Sequence, residues 1–430
     1  MIAIKKCSLD FVREPLSAPF GFKGGYLSEL WQPVVKIESD IGEAVFPSVQ
    51  SVLWSDSRVF AGSSESGGNA KMLAVTERAC RMIEGTNFET PYEVTSYLAE
   101  AIMPYAEAIC GFKTAKTFVL NSLVGIDLAM WALYARKNKC KTFYEIIPRE
   151  DMHAFECTHK KLACIPLINY SVNKDEIGKL LSNGSALLKI KLGKYVGGQT
   201  GSEQDMCSML EWDINRVKEI HAIASQYRTD MTKSGKIRYY FDANGRYDTA
   251  DRLMRFLDAI DRFGALECTE LIEEPFAEGN DTDVSHMPTA IGADESAHSA
   301  DDLKKRIDQG YKAAAFKPAA KTLSVSFEMA HIAKNAGIGY LTADLTVNPL
   351  LAMLNRIFAS HLDALPGMSV GAVEVNGDQN YKNWHDMQKL LPPSLKWSDA
   401  VSGAFIADDE FFGNSGKIFE TNGYATIFER

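Results

Sequence analysis

The spacing of apolar and polar residues changes character along the chain. Up to about residue 60 the short apolar runs read as strands. Ile4–Val12 is one, and Pro33–Ile37 with Glu43–Phe46 predicts a hairpin turned through Glu38-Ser39-Asp40-Ile41-Gly42, where Asp40 and Gly42 supply the turn chemistry. Between them, Pro15–Gly25 is rich in Pro and Gly and carries Phe20 and Phe22. It reads as a packed loop or as a flap over a ligand. Ala61–Asn69, with its Ser and Gly, reads as a surface loop. Helical spacing begins at Lys71 and predicts helices over Met72–Ile83, Pro91–Ala106 and Asn121–Arg136. In the last of these Leu123, Ile126, Met130 and Leu133 share a face, and Asn121 is the expected N-cap. An α+β unit is thus expected over residues 1–139.

From Leu162 the pattern becomes short apolar runs that end abruptly in charge, with helical stretches between them. Strands are predicted at Leu162–Asn169, Ala186–Lys191, Ile237–Asp242, Glu270–Glu274, Ala290–Ala293, Ala313–Lys317, Gly339–Ala343 and Gly371–Val375. Helices are predicted at Val172–Leu181, Glu211–Ser225, Ala250–Phe263, Ala300–Gln309, Val325–Ala336 and Pro349–Ser360. Eight such strands alternating with helices predict a closed α/β barrel, a TIM-type arrangement, over residues 160–385. No Gly-x-Gly-x-x-Gly follows any of the strands, which counts against a dinucleotide cofactor. The remaining segment, 386–430, contains a strand-like run at Ala425–Phe428 and is expected to fold back on the first unit.

Composition narrows the function classes. With 46% hydrophobic and 24% charged residues in 430, the chain is an ordinary globular one. Its net charge of -10 argues against nucleic acid as a partner. The eight cysteines show no C-x-x-C pair, so they read as the reduced thiols of a cytoplasmic protein. The start lacks a signal-peptide core, and no uninterrupted apolar run is long enough to predict a membrane span. A symmetric homo-oligomer is the general expectation.

The chemistry lies at the strand ends. Asp242, Glu273 and Asp294 terminate the third, fourth and fifth barrel strands, which are neighbours, so the three carboxylates are brought together. Any one of them alone is more simply a helix cap or the partner of a surface lysine. Three together cannot all ionise without a cation, and a set of hard oxygens with no Cys or His favours Mg²⁺. Lys189 and Lys191 share a face of the second strand, with Ile190 turned to the helices. Two ammonium groups so placed are expected to depress one another's pKa, leaving one free to act as a base. Lys317 ends the sixth strand, across an eight-stranded barrel from the second.

The set Lys189-Ile190-Lys191, Asp242-Ala243-Asn244, Ile272-Glu273-Glu274-Pro275, Ala293-Asp294-Glu295-Ser296 and Phe316-Lys317-Pro318, with Ile126-Asp127-Leu128-Ala129-Met130-Trp131 before the barrel, resembles the enolase superfamily. Within it, the resemblance is to the muconate-lactonizing-enzyme subgroup, with its dipeptide epimerases and o-succinylbenzoate synthases. The resemblance implies a modified TIM barrel, (β/α)7β, under an N-terminal α+β capping domain. It implies Asp242, Glu273 and Asp294 as Mg²⁺ ligands, Lys191 as acid/base on one face, Lys189 as its electrostatic support, and Lys317 as the acid/base or charge stabiliser opposite. Asn244 and Glu295 would then support the ligands from behind. The shared step is removal of the proton α to the carboxylate of a small-molecule substrate.

Two departures bear on specificity. The seventh strand ends Thr342-Ala343-Asp344 with no histidine, and His331 lies on the preceding helix, unlike the mandelate-racemase subgroup. On the eighth strand an Asp-x-Asp typical of dipeptide epimerases is replaced by Val373-Glu374-Val375-Asn376. Phe20, Phe22, Glu374 and Asp344 are therefore expected near the substrate, and the Gly193–Gln204 insertion has no assigned role. Racemisation or epimerisation is the leading expectation. A syn-dehydratase, a synthase of the o-succinylbenzoate type and a cycloisomerase use the same residues, and a non-catalytic relative binding a small acid is the alternative from another class.

Overall fold

In the computed structural model, residues 1–23, 25–196, 202–392 and 399–429 are described. Residues 197–201 of the Gly193–Gln204 insertion lie outside them.

The N-terminal part is an antiparallel sheet of four strands in the order β3-β2-β1-β4: β1 (Ile2–Phe22), β2 (Gly25–Ser39), β3 (Gly42–Pro47) and β4 (Asn87–Phe88). The hairpin expected across Glu38–Gly42 forms. The Pro15–Gly25 stretch is not a loop: β1 and β2 run on as a long ribbon to Phe22 and Gly25. The ladder shifts register between Pro15 and Phe20, so the prolines sit at an irregularity where a missing N–H costs little.

Ala61–Asn69, expected as a loop, lies inside the helix Ser57–Ile83, which is kinked at Ser64 with φ of 63°. Packing overrides its poor helix propensity. A Cβ on Gly68 would come within 2.7 Å of Val52 Cγ2, so only glycine permits that approach. The stretch Pro91–Ala106 splits into Pro91–Ala101 and Met103–Cys110.

The helix Lys116–Asn138 starts five residues before Asn121, which is therefore not its N-cap. Asn121 is buried within it, accepting from Ser51 N and Ser55 Oγ, each at 3.1 Å, and donating to Val49 O at 2.8 Å. It thereby fixes the segment that carries Trp54. By length and composition alone this helix could cross a membrane, but here it is a buried core helix.

The second sheet curls into a barrel. In chain order its strands are β5 (Lys161–Ile165), β6 (Leu167–Ile168), β7 (Leu187–Lys191), β8 (Arg238–Asp242), β9 (Thr269–Glu273), β10 (Ile291–Ala293), β11 (Ala313–Phe316), β12 (Gly339–Thr342), β13 (Gly371–Glu374) and β14 (Ala404–Ile406). Pro166 divides the first predicted strand into β5 and β6. β5 pairs with β13 and β6 with β7, so the two halves of one bent strand close the ring. Helices follow all of the first seven barrel strands except β9, whose 274–290 connection to β10 carries none.

The tail divides between the two sheets. β14 pairs antiparallel with β5, while the last turns touch β1 and β3. Ala425–Phe428, expected as a strand, is helical, because Tyr424 and Ile427 bury at the three-residue spacing of a helical face.

The period of two along the barrel strands places the chemistry. Inward-facing Leu187, Tyr240, Leu271, Ala313, Leu341 and Ala372 form an apolar plug in the barrel interior. One step of two residues further, the inward positions become Lys189, Asp242, Glu273 and Glu374. Outward-facing Leu188, Ile190, Phe241, Ile272 and Val373 belong to the main core, shared with the helices. The charged layer is thus set on an apolar floor at the C-terminal mouth.

Candidate active site

The register of β7, β8 and β9 lays Lys191 beside Asp242, and Asp242 beside Glu273. Lys189 Nζ is buried among four groups. It donates to Tyr240 OH at 3.1 Å and stands 3.1 Å from Asp242 Oδ2, from Glu273 Oε2 and from Glu374 Oε2. Lys191 Nζ contacts Asp242 Oδ2 at 2.5 Å and donates to Asn244 Oδ1 at 2.6 Å. Lys317 Nζ contacts Asp294 Oδ2 at 2.5 Å and lies 4.6 Å from the centre of the Trp54 ring. Asn244 Nδ2 donates to Glu295 Oε1 at 3.0 Å.

Electrostatics overturn one expectation. Burial opposes charge on Lys189, but Glu273, Glu374 and Asp242 outweigh it and hold the ammonium well above the usual lysine range. The expected depression by Lys191 does not prevail there, because three carboxylates stand closer to balance than one like charge. Burial likewise opposes ionisation of Asp242, yet Lys191 and Lys189 bring its carboxyl to about 2. For Asp294, burial is overcome by Lys317 and Lys321, which hold it well below the carboxylate range. Burial, only partly offset by Lys189 and reinforced by Asp294, pushes Glu273 up to about 7. Burial and then Glu295 push Glu274 to about 8.

The carboxylates that converge most closely are Glu273, Asp294 and Glu295, each with an oxygen within 4.8 Å of the others. Asp242 is outside that trio and is drawn to Lys191 and Lys189. The donor set fits a hard divalent cation: it is all carboxylate oxygen, and Glu295 Oε2 is buried without a hydrogen-bond partner. Seven carboxylates occupy the mouth (Asp242, Glu273, Glu274, Asp294, Glu295, Asp344 and Glu374), against ammonium groups from Lys23, Lys189, Lys191, Lys317 and Lys321.

Phe20, Phe22, Ser51, Trp54, Lys189, Lys191, Lys317, Asp344 and Glu374 all line one small cavity of about 40 Å³. The four residues expected near the substrate are thus brought beside Lys189, Lys191 and Lys317. Glu374 and Asp344 are already engaged. Glu374 Oε2 accepts from Lys189 and from Asp344 N at 3.0 Å, and its Oε1 accepts from Asn376 Nδ2 at 3.2 Å. Asp344 accepts from the backbone N–H of Leu345, Val347 and Asn376. Burial and then Glu374 raise Asp344 to about 7.

Three further side chains take part. Lys23, at the ribbon tip, contacts Glu295 Oε1 at 2.9 Å and donates to Trp54 O at 3.0 Å. Trp54 walls the cavity off from an outer pocket of about 400 Å³ lined by Lys23, Arg58, Arg246 and Glu278. Lys321 lies behind Asp294. Its four-residue spacing from Lys317 was a usable signal; a lysine among turn residues offered none.

No protein-family model matches the chain, and no curated protein matches it. Its fold is nonetheless that of the mandelate racemase/muconate lactonizing proteins of the enolase superfamily. A mandelate racemase/muconate lactonizing protein from Herpetosiphon aurantiacus matches with a TM-score of 0.63 and 18% identity, over 94% of this chain and 96% of that one. The dipeptide epimerase of Enterococcus faecalis, crystallised with Mg and L-Leu-L-Tyr, matches at 0.60 and 18%, over 88% and 92%. The L-talarate dehydratase of a Polaromonas species, crystallised with Mg and L-glucarate, matches at 0.58 and 15%, over 87% of each chain. Likeness at such identities establishes the fold and leaves the reaction to the site.

Proposed function

We propose that this chain is an Mg²⁺-dependent enzyme that removes the proton α to a carboxylate and returns it on the other face, as a racemase or epimerase. The observation that carries the reading is that Lys191 and Lys317, from the second and sixth barrel strands, line one cavity beside a buried carboxylate cluster. Glu273 and Asp294 would hold the cation together with Glu295, which converges on them, and Asp242 would join once its contact with Lys191 opens, with Asn244 bracing Glu295 from the side. When bound, the cation supplies positive charge against the negative charge that builds on the substrate carboxylate. Lys191 exchanges the proton on one face and Lys317 on the other. Lys189, locked among three carboxylates and Tyr240, stays an ammonium and contributes fixed positive charge. Phe20, Phe22 and Trp54 keep water out.

The substrate is a small carboxylate, and it enters by parting this cover. A cavity of 40 Å³ holds only about three waters. Admission therefore requires the ribbon tip bearing Phe20, Phe22 and Lys23 to lift and the Lys23–Glu295 contact to open. The proteins of known structure that share the fold and carry Mg include both an epimerase and a dehydratase, which supports the cation and leaves the outcome to experiment.

The test is proton exchange in D₂O with Mg²⁺ against pooled dipeptides, N-acyl amino acids, sugar acids and succinylbenzoate precursors. Deuterium at the α-carbon with scrambled configuration is expected. Lys191→Ala and Lys317→Ala should each abolish exchange of one epimer only. Loss of water instead of scrambling would make the enzyme a lyase, and silence across the pool from a protein that binds Mg²⁺ would overturn the reading.

A further inference from the structure

Lys321 is fully buried and has no part in the reaction proposed above. We infer that Lys321 is a positioning residue that fixes the Asp294 carboxylate from behind, so that this ligand keeps one oxygen presented to the cation. The inference rests on the reading of Asp294 as a cation ligand.

The two oxygens of Asp294 are held by different lysines. Lys317 takes Oδ2 at 2.5 Å, and Lys321 stands 3.1 Å from Oδ1. Their surroundings differ in kind. Lys317 lines the cavity, under the Trp54 ring, and must exchange its contact with Oδ2 for one with the substrate. Lys321 is not among the residues lining that cavity, and the rest of its ammonium is already committed. It donates to the backbone oxygens of Asp294 at 2.5 Å and Ala297 at 3.0 Å. With two donors given to these carbonyls and its charge paired with Oδ1, this ammonium is engaged away from the cavity. What it does instead is tie the backbone and the side chain of Asp294 to the same point.

The local sequence explains how two lysines reach one carboxylate. Lys317-Pro318-Ala319-Ala320-Lys321 forms a single helical turn, with Pro at its first position and Lys321 N donating to Lys317 O at 2.8 Å. The four-residue spacing puts both lysines on one side of that turn. Ala319 and Ala320 are buried, and their small size lets the turn pack against the helix Lys116–Asn138. Thr322 ends it with φ of 76°, an unusual value for a β-branched residue, and its side chain then caps the next helix by accepting from Val325 N. The chain thus breaks its helix immediately after Lys321 and restarts it, which leaves the lysine directed at Asp294.

The sign of the effect on metal binding separates positioning from simple charge. A fixed positive charge beside a cation site weakens binding, so removing it should tighten binding if Lys321 acts by charge alone. If it positions Asp294, its removal should loosen binding. The experiment is Mn²⁺ titration of the full-length, chelator-stripped protein, followed by electron paramagnetic resonance of the free ion. Wild type is compared with Lys321→Met, Lys321→Gln and Asp294→Asn. Binding weaker by about tenfold or more is expected for Lys321→Met. Lys321→Gln, which keeps a donor for the two carbonyls but no charge, should weaken it in the same direction and is read by the same rule if the methionine variant does not fold. Equal or tighter Mn²⁺ binding in a folded variant overturns the inference. If Asp294→Asn binds as well as wild type, Asp294 is not a ligand: the assignment made under the proposed function fails first, and this inference with it.

Discussion

Replacing Lys189 by methionine tests whether the charged layer is held together by compensation. The side chains are of similar length, so the chief loss is the charge and its hydrogen bonds. Lys189 Nζ stands 3.1 Å from Asp242, Glu273 and Glu374 alike. Asp242 retains Lys191 at 2.5 Å, but Glu273 and Glu374 lose the one lysine that stands within 4.0 Å of them among the described residues. Removing one member of a buried pair and stranding the other costs about 3–5 kcal/mol. For 430 residues the unfolding entropy near 60 °C is about 0.9 kcal/mol/K, so Tm should fall by about 3–6 °C if the molecule unfolds as one unit. Calorimetry at pH 8 in excess chelator would measure it. Adding Glu374→Leu should restore part of the loss, because an apolar pair replaces an unpaired charge. A Tm within about 1 °C of wild type for Lys189→Met would refute the compensation argument.

Two further outcomes follow from the geometry. Phe22→Ala, which opens the cavity beside Lys191, should change relative kcat/KM across several carboxylate substrates while both lysines remain necessary; an unchanged ranking would show that the ribbon tip does not select. The third concerns Asp213, away from the carboxylate cluster, which accepts from Gly193 N at 2.9 Å and Tyr247 OH at 2.9 Å. Burial outweighs these bonds and raises its carboxyl to about 7, against about 4 in an unfolded chain. Between those values the unfolded state is ionised while the folded state keeps its proton, so stability falls as pH rises from about 4 to about 7 and levels beyond, by up to about 4 kcal/mol. Asp213→Asn should remove that slope from urea unfolding measured across the range, and identical slopes would refute it.

What could be read from the sequence follows from where each residue's environment is determined. Lys189, Lys191, Asp242, Glu273 and Glu374 lie on buried strands whose period of two is visible in the residues themselves, so apolar runs ending in charge predicted both the barrel and the composition of its mouth. Phe20, Phe22 and Trp54 acquire their positions from tertiary contacts. The ribbon carrying Phe20 and Phe22 absorbs its prolines at a register shift, and Gly68 is helical because Val52 packs against it. Neither feature has a local signal. The mutual depression expected of Lys189 and Lys191 fails at Lys189 for a related reason: pairwise reasoning along one strand sees Lys191, whereas β8, β9 and β13 bring three carboxylates to the same nitrogen. Lys23 and Lys321 mark the limit of the strand-end argument. Both reach the carboxylate cluster from outside the barrel wall, one from the tip of the N-terminal ribbon and one from a turn behind β11. A cluster of buried acids attracts counter-charges from any segment the fold brings within reach. An inventory taken only at the strand ends therefore undercounts the cations, and the ones it misses pair with the acids of the cluster without lining the cavity.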